Sequence, residues 1–249
     1  MALGLMFVLL VKEIDLSVAA INGVTAVLMA KLVIEFGFSP WLSIPIAILV
    51  GAVIGALSAR WVTYVGVPSF VVTLGLGLAL NGVQMLLLPQ TARYGLLGSG
   101  VEMIAQTKIA GSAAWLVLAI GLVVYSALVV SGMARRQKAG LDVPVLSGLV
   151  FPLVGGAVFG VVVVRVLNSH QGIPLVTLIF AILLGVGAYV LKETTFGLHL
   201  YAVGNNDEAA RRAGIKVANV KMAAFAIAGG IAALAVPSRM ITLTLGVRP

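Results

Sequence analysis

The sequence has no cysteine and very little charge, and these two absences exclude most classes of soluble protein. Only 10% of the 249 residues are charged and 61% are hydrophobic, whereas an ordinary soluble domain carries about 25% charged residues. Without cysteine the chain forms neither a disulfide framework nor a thiolate metal site. So few charges cannot cover a soluble globule of this size, so we predict a polytopic membrane protein.

Catalytic and nucleotide-binding signatures are absent as well. No Walker-type phosphate loop occurs, so we expect that the chain itself does not hydrolyse nucleotide. The histidines His170 and His199 fall in different connections, on opposite sides of the membrane in the topology given below, so they cannot share a metal. We therefore expect no catalytic residue, no metal and no cofactor.

Apolar segments dominate the chain and predict an all-α bundle of transmembrane helices. Several of them reach the roughly 18 to 20 residues that a helix needs to cross a bilayer. No polar stretch is long enough to bury a core of its own, so we expect residues 1–249 to form a single transmembrane domain. The first segment is short, and we expect it to be an incomplete helix. The eight segments are 1–11, 16–35, 41–64, 67–89, 113–133, 143–167, 173–191 and 219–237.

The basic residues predict the orientation, because Lys and Arg collect in cytoplasmic loops. This bias also accounts for the net charge of +8 without a nucleic-acid partner. The dense run "ARRQKAGLD" after the fifth segment is the strongest indicator. Strict alternation then places ten of the basic residues inside: Lys12, Arg60, Arg135, Arg136, Lys138, Lys192, Arg211, Arg212, Lys216 and Lys221.

Two polar groups of the first half of the chain have two interpretations each. In "KEIDLSV" (12–18), Asp15 or Ser17 is expected to cap the following helix; an ion site is the less favoured alternative. In "GVPSFVVTLGLGLALNGVQ" (66–84), polar side chains could line a path for a hydroxylated solute, or they could form hydrogen bonds between helices. The candidate path residues are Ser69, Thr73, Asn81 and Gln84.

The connection at 192–218 is polar, basic and longer than a connector needs to be. Asn206 or Asp207 can cap a short helix "DEAARRAG", in which acidic residues come first and arginines last, as the helix dipole favours. Gly214 ends that helix as a C-terminal glycine does. A loop that needed only positive charge would not need two caps, so we interpret this amphipathic helix as a docking element for a cytoplasmic partner.

Three motifs in this order resemble the permease subunits of bacterial ATP-binding cassette (ABC) sugar importers. They are "EIDLSV", "GVPSFVVTLG" and "YAVGNNDEAARRAGI". The resemblance covers nearly the whole chain and is to the ribose, xylose, galactose and arabinose type, with two additional spans between 113 and 191 that are more similar to xylose permeases.

The resemblance implies a function and a set of partners in the bacterial inner membrane. It implies a subunit that pairs with a second copy and moves a monosaccharide by alternating access. A separate ATP-binding subunit hydrolyses ATP, and a periplasmic or lipid-anchored protein delivers the sugar. The element of residues 192–218 would couple to the ATPase through Gly204, Asn205, Asn206, Glu208, Ala209, Ala210, Arg211, Arg212, Gly214 and Ile215.

The sequence departs from the family in two places. Glu13 stands where the family usually has glycine, which adds a charge near the path, and a later motif of the GG-T-S-L-x-GG kind is not found. We therefore expect a chain truncated at both ends. The alternatives are an ion-coupled secondary transporter, which would need an intramembrane carboxylate or a broken-helix ion site, and a permease fragment that does not transport.

Overall fold

The computed structural model describes residues 1–89, 93–94, 107–138, 140, 144–169, 172–235 and 241–242. His170 lies outside these residues, as do most of segment 90–112 and the last two residues of the eighth apolar segment. The helices are α1 (Ala2–Leu10), α2 (Val18–Ile34), α3 (Pro40–Arg60), α4 (Ser69–Leu87), α5 (Ser112–Lys138), α6 (Phe151–Ser169), α7 (Leu175–Glu193), α8 (Thr195–Asn205), α9 (Asp207–Arg212) and α10 (Val217–Leu234).

The predicted all-α membrane bundle is confirmed, since each of the eight apolar segments contains a helix. Six helical stretches among the described residues are long and apolar enough to cross a bilayer, whereas α2 is shorter. Two π-helical turns, Trp61–Val65 and Leu146–Val150, follow α3 and precede α6. Two antiparallel strand pairs, Arg93–Tyr94 with Ile241–Thr242 and Lys108–Ile109 with Ile173–Pro174, complete the described elements.

Residues 1–103 and 181–249 form one compact unit, in which α2 is the most buried helix. Its side chains contribute to two apolar clusters, one with Ala47 and one with Leu80 and Ala232. The amide of Asn22 donates to the carbonyl of Ala232 at 2.7 Å, so this buried polar group is satisfied.

Glycines allow α3 and α10 to pack backbone against backbone. A Cβ atom at Gly51 would collide with the carbonyl of Gly229, and one at Gly55 with the carbonyl of Phe225. Gly51 and Gly55 form a G-x-x-x-G pattern, in which small residues one turn apart let two membrane helices approach closely. This contact fixes α10, whose N-terminal end follows α9.

Residues 104–180 form the second unit, in which α5 packs against α6. The hydroxyl of Tyr125 donates to the carbonyl of Pro152 at 3.1 Å, and the ring of Tyr125 lies against Gly156. Ala114, Val164 and Ile173 form its buried apolar cluster.

The stretch at 192–218 contains a helix that the sequence analysis missed. Residues 195–205 form α8, which begins at Thr194, where the hydroxyl accepts a hydrogen bond from the Gly197 N–H. Gly197, Leu200, Val203 and Gly204 are buried, a spacing of three and four that marks one helical face. Glycine and polar residues in α8 concealed that period in the sequence. Two helices, α8 and α9, rather than the predicted one therefore lie between α7 and α10.

Candidate functional site

Helix α9 is short and capped at both ends, as the sequence predicted. The side chain of Asn206 accepts hydrogen bonds from the N–H groups of Glu208 (2.9 Å) and Ala209 (3.0 Å). Gly214 adopts φ +83°, and the next residue, Ile215, donates its N–H to the carbonyl of Ala210 at 3.0 Å. A helix of six residues has little stability of its own, so the two caps stabilise α9 and set its ends.

One face of α9 is buried and the other is open. Ala210 is 4% exposed and belongs to an apolar cluster with Phe7, Leu200 and Val220. On the opposite face, Glu208 and Arg212 form an ion pair that is about three-quarters exposed, and Ala209 and Arg211 are exposed beside it. The exposed face presents both charge signs around a small apolar residue, a surface suited to docking.

The end of α1 anchors the α8–α9 junction. A Cβ atom at Gly204 would overlap the carbonyl of Leu10, so only glycine fits there. The ammonium group of Lys12 donates to the carbonyl of Asn205 at 3.0 Å, at the C-terminal end of α8, where a cation is favoured. Lys12 has φ +58°, a left-handed conformation that costs a non-glycine residue stability.

A cluster of three charges joins α9, α10 and the segment after α1. The ammonium group of Lys221 donates to a carboxylate oxygen of Glu13 and to one of Asp207, each at 2.7 Å. Lys221 and Glu13 are only 12% and 14% exposed, and Asp207 is 39% exposed. The sequence places Lys221 among the inside basic residues and gives Glu13 only as a departure from the family. It does not predict this cluster, because the two residues are 208 positions apart.

Ser69 and Thr73 hold the extended segment between α1 and α2. The hydroxyl of Ser69 accepts from the N–H of Ile14, and that of Thr73 accepts from the N–H of Leu16, both at 3.1 Å. Both side chains are buried. Of the two interpretations that the sequence left open, hydrogen bonding within the protein describes these two hydroxyls, and their place on a solute path stays a prediction.

The other two candidate path residues lie further along α4. Asn81 is exposed, and Gln84 is half-buried with its amide against Gly23 of α2. Because the two side chains are three residues apart they lie near one another on the helix surface. Whether they line a path stays a prediction.

Asp15, rather than Ser17, supplies the acceptor at the start of α2. One carboxylate oxygen of Asp15 accepts from the N–H of Ser17 (2.8 Å) and from its hydroxyl (2.6 Å). Ser17 occupies the N-cap position but makes no hydrogen bond to the first turn, so the predicted cap through Ser17 is wrong. The hydroxyl donates to Asp15 instead.

Asp15 is 5% exposed, and its second oxygen has no hydrogen-bond partner among the described residues. Burial raises the pKa of the Asp15 carboxyl above its ordinary value, and the hydrogen bonds from Ser17 oppose that shift to a smaller extent.

The grooves and potential metal ligands of the described residues are the features to compare with the requirements of a reaction centre. No group of three or more potential metal ligands occurs in the described ranges. Two open grooves flank α8: one of about 580 Å³ between α8 and Leu10, and one of about 460 Å³ bordered by Phe196, His199 and Asn219. Neither groove brings a nucleophile next to a base.

Residues 1–94 and 166–237 match the family described as "Branched-chain amino acid transport system / permease component". The match includes α1 to α4 and α7 to α10, and hence the exposed face of α9. The chain belongs to this family. Since six helical stretches among the described residues are able to span a bilayer, it is a multi-pass protein of the inner membrane.

Individual relatives in this family are named as sugar permeases. The xylose transport system permease protein of Escherichia coli K12 is 33% identical over 94% of this chain, and that of Haemophilus influenzae is also 33% identical over 94%. The fructose import permease protein of Rhizobium meliloti is 29% identical over 92%. The chain spans 60%, 62% and 48% of the length of these relatives, respectively. No solved structure matches the chain at a significant level.

Proposed function

We propose that this permease is the membrane-spanning subunit of a binding-protein-dependent ABC importer, and that it carries a monosaccharide into the cell. The identity to the two xylose permeases favours a pentose such as xylose. ATP would be hydrolysed by a separate ATP-binding subunit, and a periplasmic or lipid-anchored protein would deliver the sugar. A second copy of the chain would complete the pathway, and the spans would open to either side in turn as ATP is bound and hydrolysed.

The exposed face of α9 is the observation that carries this proposal. The helix is attached to the bundle through Ala210 and the carboxylate of Asp207, while Glu208, Ala209 and Arg211 face away from it. A displacement of α9 is therefore expected to displace α10 and the end of α1 as well. Within residues 192–218, this is the part we assign to coupling with the ATP-binding subunit.

Co-purification with the candidate ATP-binding subunit tests the proposal. We expect the intact chain to capture this subunit from membranes, and Arg211→Glu with Arg212→Glu to lose it. The matched control is Arg136→Glu with Lys138→Glu, which makes the same charge change on exposed residues at the end of α5. Ala209→Trp is a second variant that blocks the face without altering charge or caps.

The outcomes separate the remaining interpretations. If the docking-face variants and the control are captured equally well, α9 is not the docking element. A chain that inserts into the membrane but never captures the subunit would favour a fragment that does not transport.

The substrate path is tested by uptake of radiolabelled D-xylose, with D-ribose and D-fructose as alternatives. If Asn81 and Gln84 line the path, Asn81→Leu with Gln84→Leu lowers uptake at normal membrane abundance. Unchanged uptake of all three sugars would remove both residues from the path.

Asp15 gives the ion-coupled alternative a specific basis. Asp15 has a buried carboxyl between two helices, and one of its oxygens has no partner in the part of the chain that the structure describes; secondary transporters use groups of this kind. Uptake that collapses with an uncoupler, survives ATP depletion and is abolished by Asp15→Asn would support that alternative. The family match and the α9 surface favour the ABC importer.

A further inference from the structure

The three-charge cluster is the point at which α9 contacts the extended segment of residues 13–17 through side chains. Asp207 is the first residue of α9, and Glu13 is the first residue of the segment. Lys221 lies between them, on the second turn of α10, and donates to both carboxylates at 2.7 Å. One ammonium group therefore links the proposed docking helix to the polypeptide that connects α1 with α2.

The extended segment is in turn bonded to α4. The N–H groups of Ile14 and Leu16 donate to the hydroxyls of Ser69 and Thr73, and both hydroxyls are buried. Asn81 and Gln84 lie on the same helix, about 12 and 16 Å beyond Thr73 at the usual rise per residue. The contacts thus run without interruption from α9 to the helix that carries the candidate path residues.

We propose that Lys221 is a positioning residue that transmits displacement of α9 to the 13–17 segment and so to α4. This inference rests on the proposed function, because it assumes that an ATP-binding subunit moves α9. Both carboxylates contact the ammonium group directly, so removal of the Lys221 side-chain charge breaks both contacts at once. The burial of Lys221 and Glu13 limits screening by solvent and salt, so their attraction is stronger than that of a surface ion pair.

Stabilising the fold and transmitting movement are two distinct roles for such a cluster. The two roles differ in what they predict. Loss of a stabilising contact lowers the amount of folded protein and every activity together. Loss of a transmitting contact leaves ATP-binding subunit capture and ATP hydrolysis in place and lowers the sugar moved per ATP.

The first experiment measures that ratio in proteoliposomes containing the chain, the ATP-binding subunit and the sugar-binding protein, with D-xylose as the probe. Coupling between sites commonly amounts to about 5- to 150-fold, and for Lys221→Met we expect about a 10-fold fall in D-xylose taken up per ATP hydrolysed. Capture of the ATP-binding subunit should not change. The matched control is Lys31→Met, which breaks the partly exposed pair between Lys31 and Glu35 on α2.

Two further variants retain side-chain shape, so they test the cluster even if Lys221→Met does not fold. Glu13→Gln and Asp207→Asn each remove one charge of the cluster. If the cluster acts as one link, each variant lowers the ratio and the double variant lowers it no further. Additive losses, or a ratio equal to that of the wild type in all three, would overturn the proposal.

A readout that does not depend on the sugar uses Ile14→Cys, which supplies the sole cysteine in a chain that has none. The side chain of Ile14 is 51% exposed. We expect its reaction rate with a maleimide to change when ATP is added to the assembled complex, and this change to disappear in Lys221→Met. An equal change in both proteins would overturn the inference while leaving the proposed function intact. Failure of the wild-type chain to capture the ATP-binding subunit would instead overturn both.

Discussion

At the scale of single residues, Gly204 sets the contact between α8 and α1. A Cβ atom there would overlap the carbonyl of Leu10, which belongs to the backbone and cannot rotate away. Gly204→Ala should therefore lower the free energy of unfolding by about 1–3 kcal/mol, the usual cost of overpacking. Thermal unfolding in detergent measures this. The matched control is Gly75→Ala, where the new methyl group meets no atom within 4 Å.

Asn206 caps α9 through its side chain, and its loss is expected to destabilise that helix. Asn206→Ala removes the acceptor for the N–H groups of Glu208 and Ala209, at a typical cost of about 1 kcal/mol. Hydrogen exchange at these two amides should become faster. Asn205→Ala is the control, because Asn205 contributes its backbone carbonyl to Lys12 and that contact survives. Unchanged exchange in Asn206→Ala would contradict the cap.

Asp15 should make stability depend on pH in a defined direction. Because its folded-state pKa is raised, the protonated carboxyl is favoured by folding, and stability is lost as pH rises through the folded pKa. Asp15→Asn retains an acceptor for Ser17 and does not titrate. The melting temperature of the variant should therefore rise relative to that of the wild type as pH increases above about 4, the ordinary pKa of an aspartate side chain. A melting temperature of the variant that stays level with, or falls relative to, that of the wild type as pH rises would contradict this.

Local chemistry explains which of these residues the sequence could identify. Gly214 was predicted correctly as a cap, and Asn206 was one of the two predicted N-caps, because a cap depends on neighbours within a few positions. The partners of Lys221 and the hydrogen bonds that occupy Ser69 and Thr73 are set by tertiary packing. No spacing in the sequence indicates such contacts.

At the scale of helices, the contact between α3 and α10 depends on three glycines. Gly55→Leu would force the two backbones apart at Phe225, so we expect loss of folded protein and a lower melting temperature. The matched control is Gly82→Leu on α4, which meets open space. Equal behaviour of the two variants would show that close approach at Gly55 is not required.

Helix prediction succeeded where the apolar pattern was continuous and failed where it was not. Helices α3 to α7 were identified from length and apolarity alone, because each is a sustained run of apolar residues. Helix α8 was missed, since glycine and polar residues break up a buried face of only four residues. Its helical form depends on packing against α1 and α10.

At the scale of the whole molecule, the absence of cysteine makes the predicted orientation directly measurable. Ala209→Cys on α9 and Ser39→Cys before α3 are both at exposed positions. We expect an impermeant maleimide to label Ser39→Cys in intact cells, and Ala209→Cys only after the inner membrane is opened. Labelling of both from the same side would contradict the orientation inferred from the basic residues.

The two caps on α9 bear on how quickly a partner could bind it. The helix is already formed in the isolated chain, so association would require no disorder-to-order step and would lose little conformational entropy. Its rate would then be governed by diffusion and by the field of Arg211 and its charged neighbours, and it would fall as ionic strength rises. A partner would meet a rigid surface and would be selected by how well its own shape and charge fit that surface.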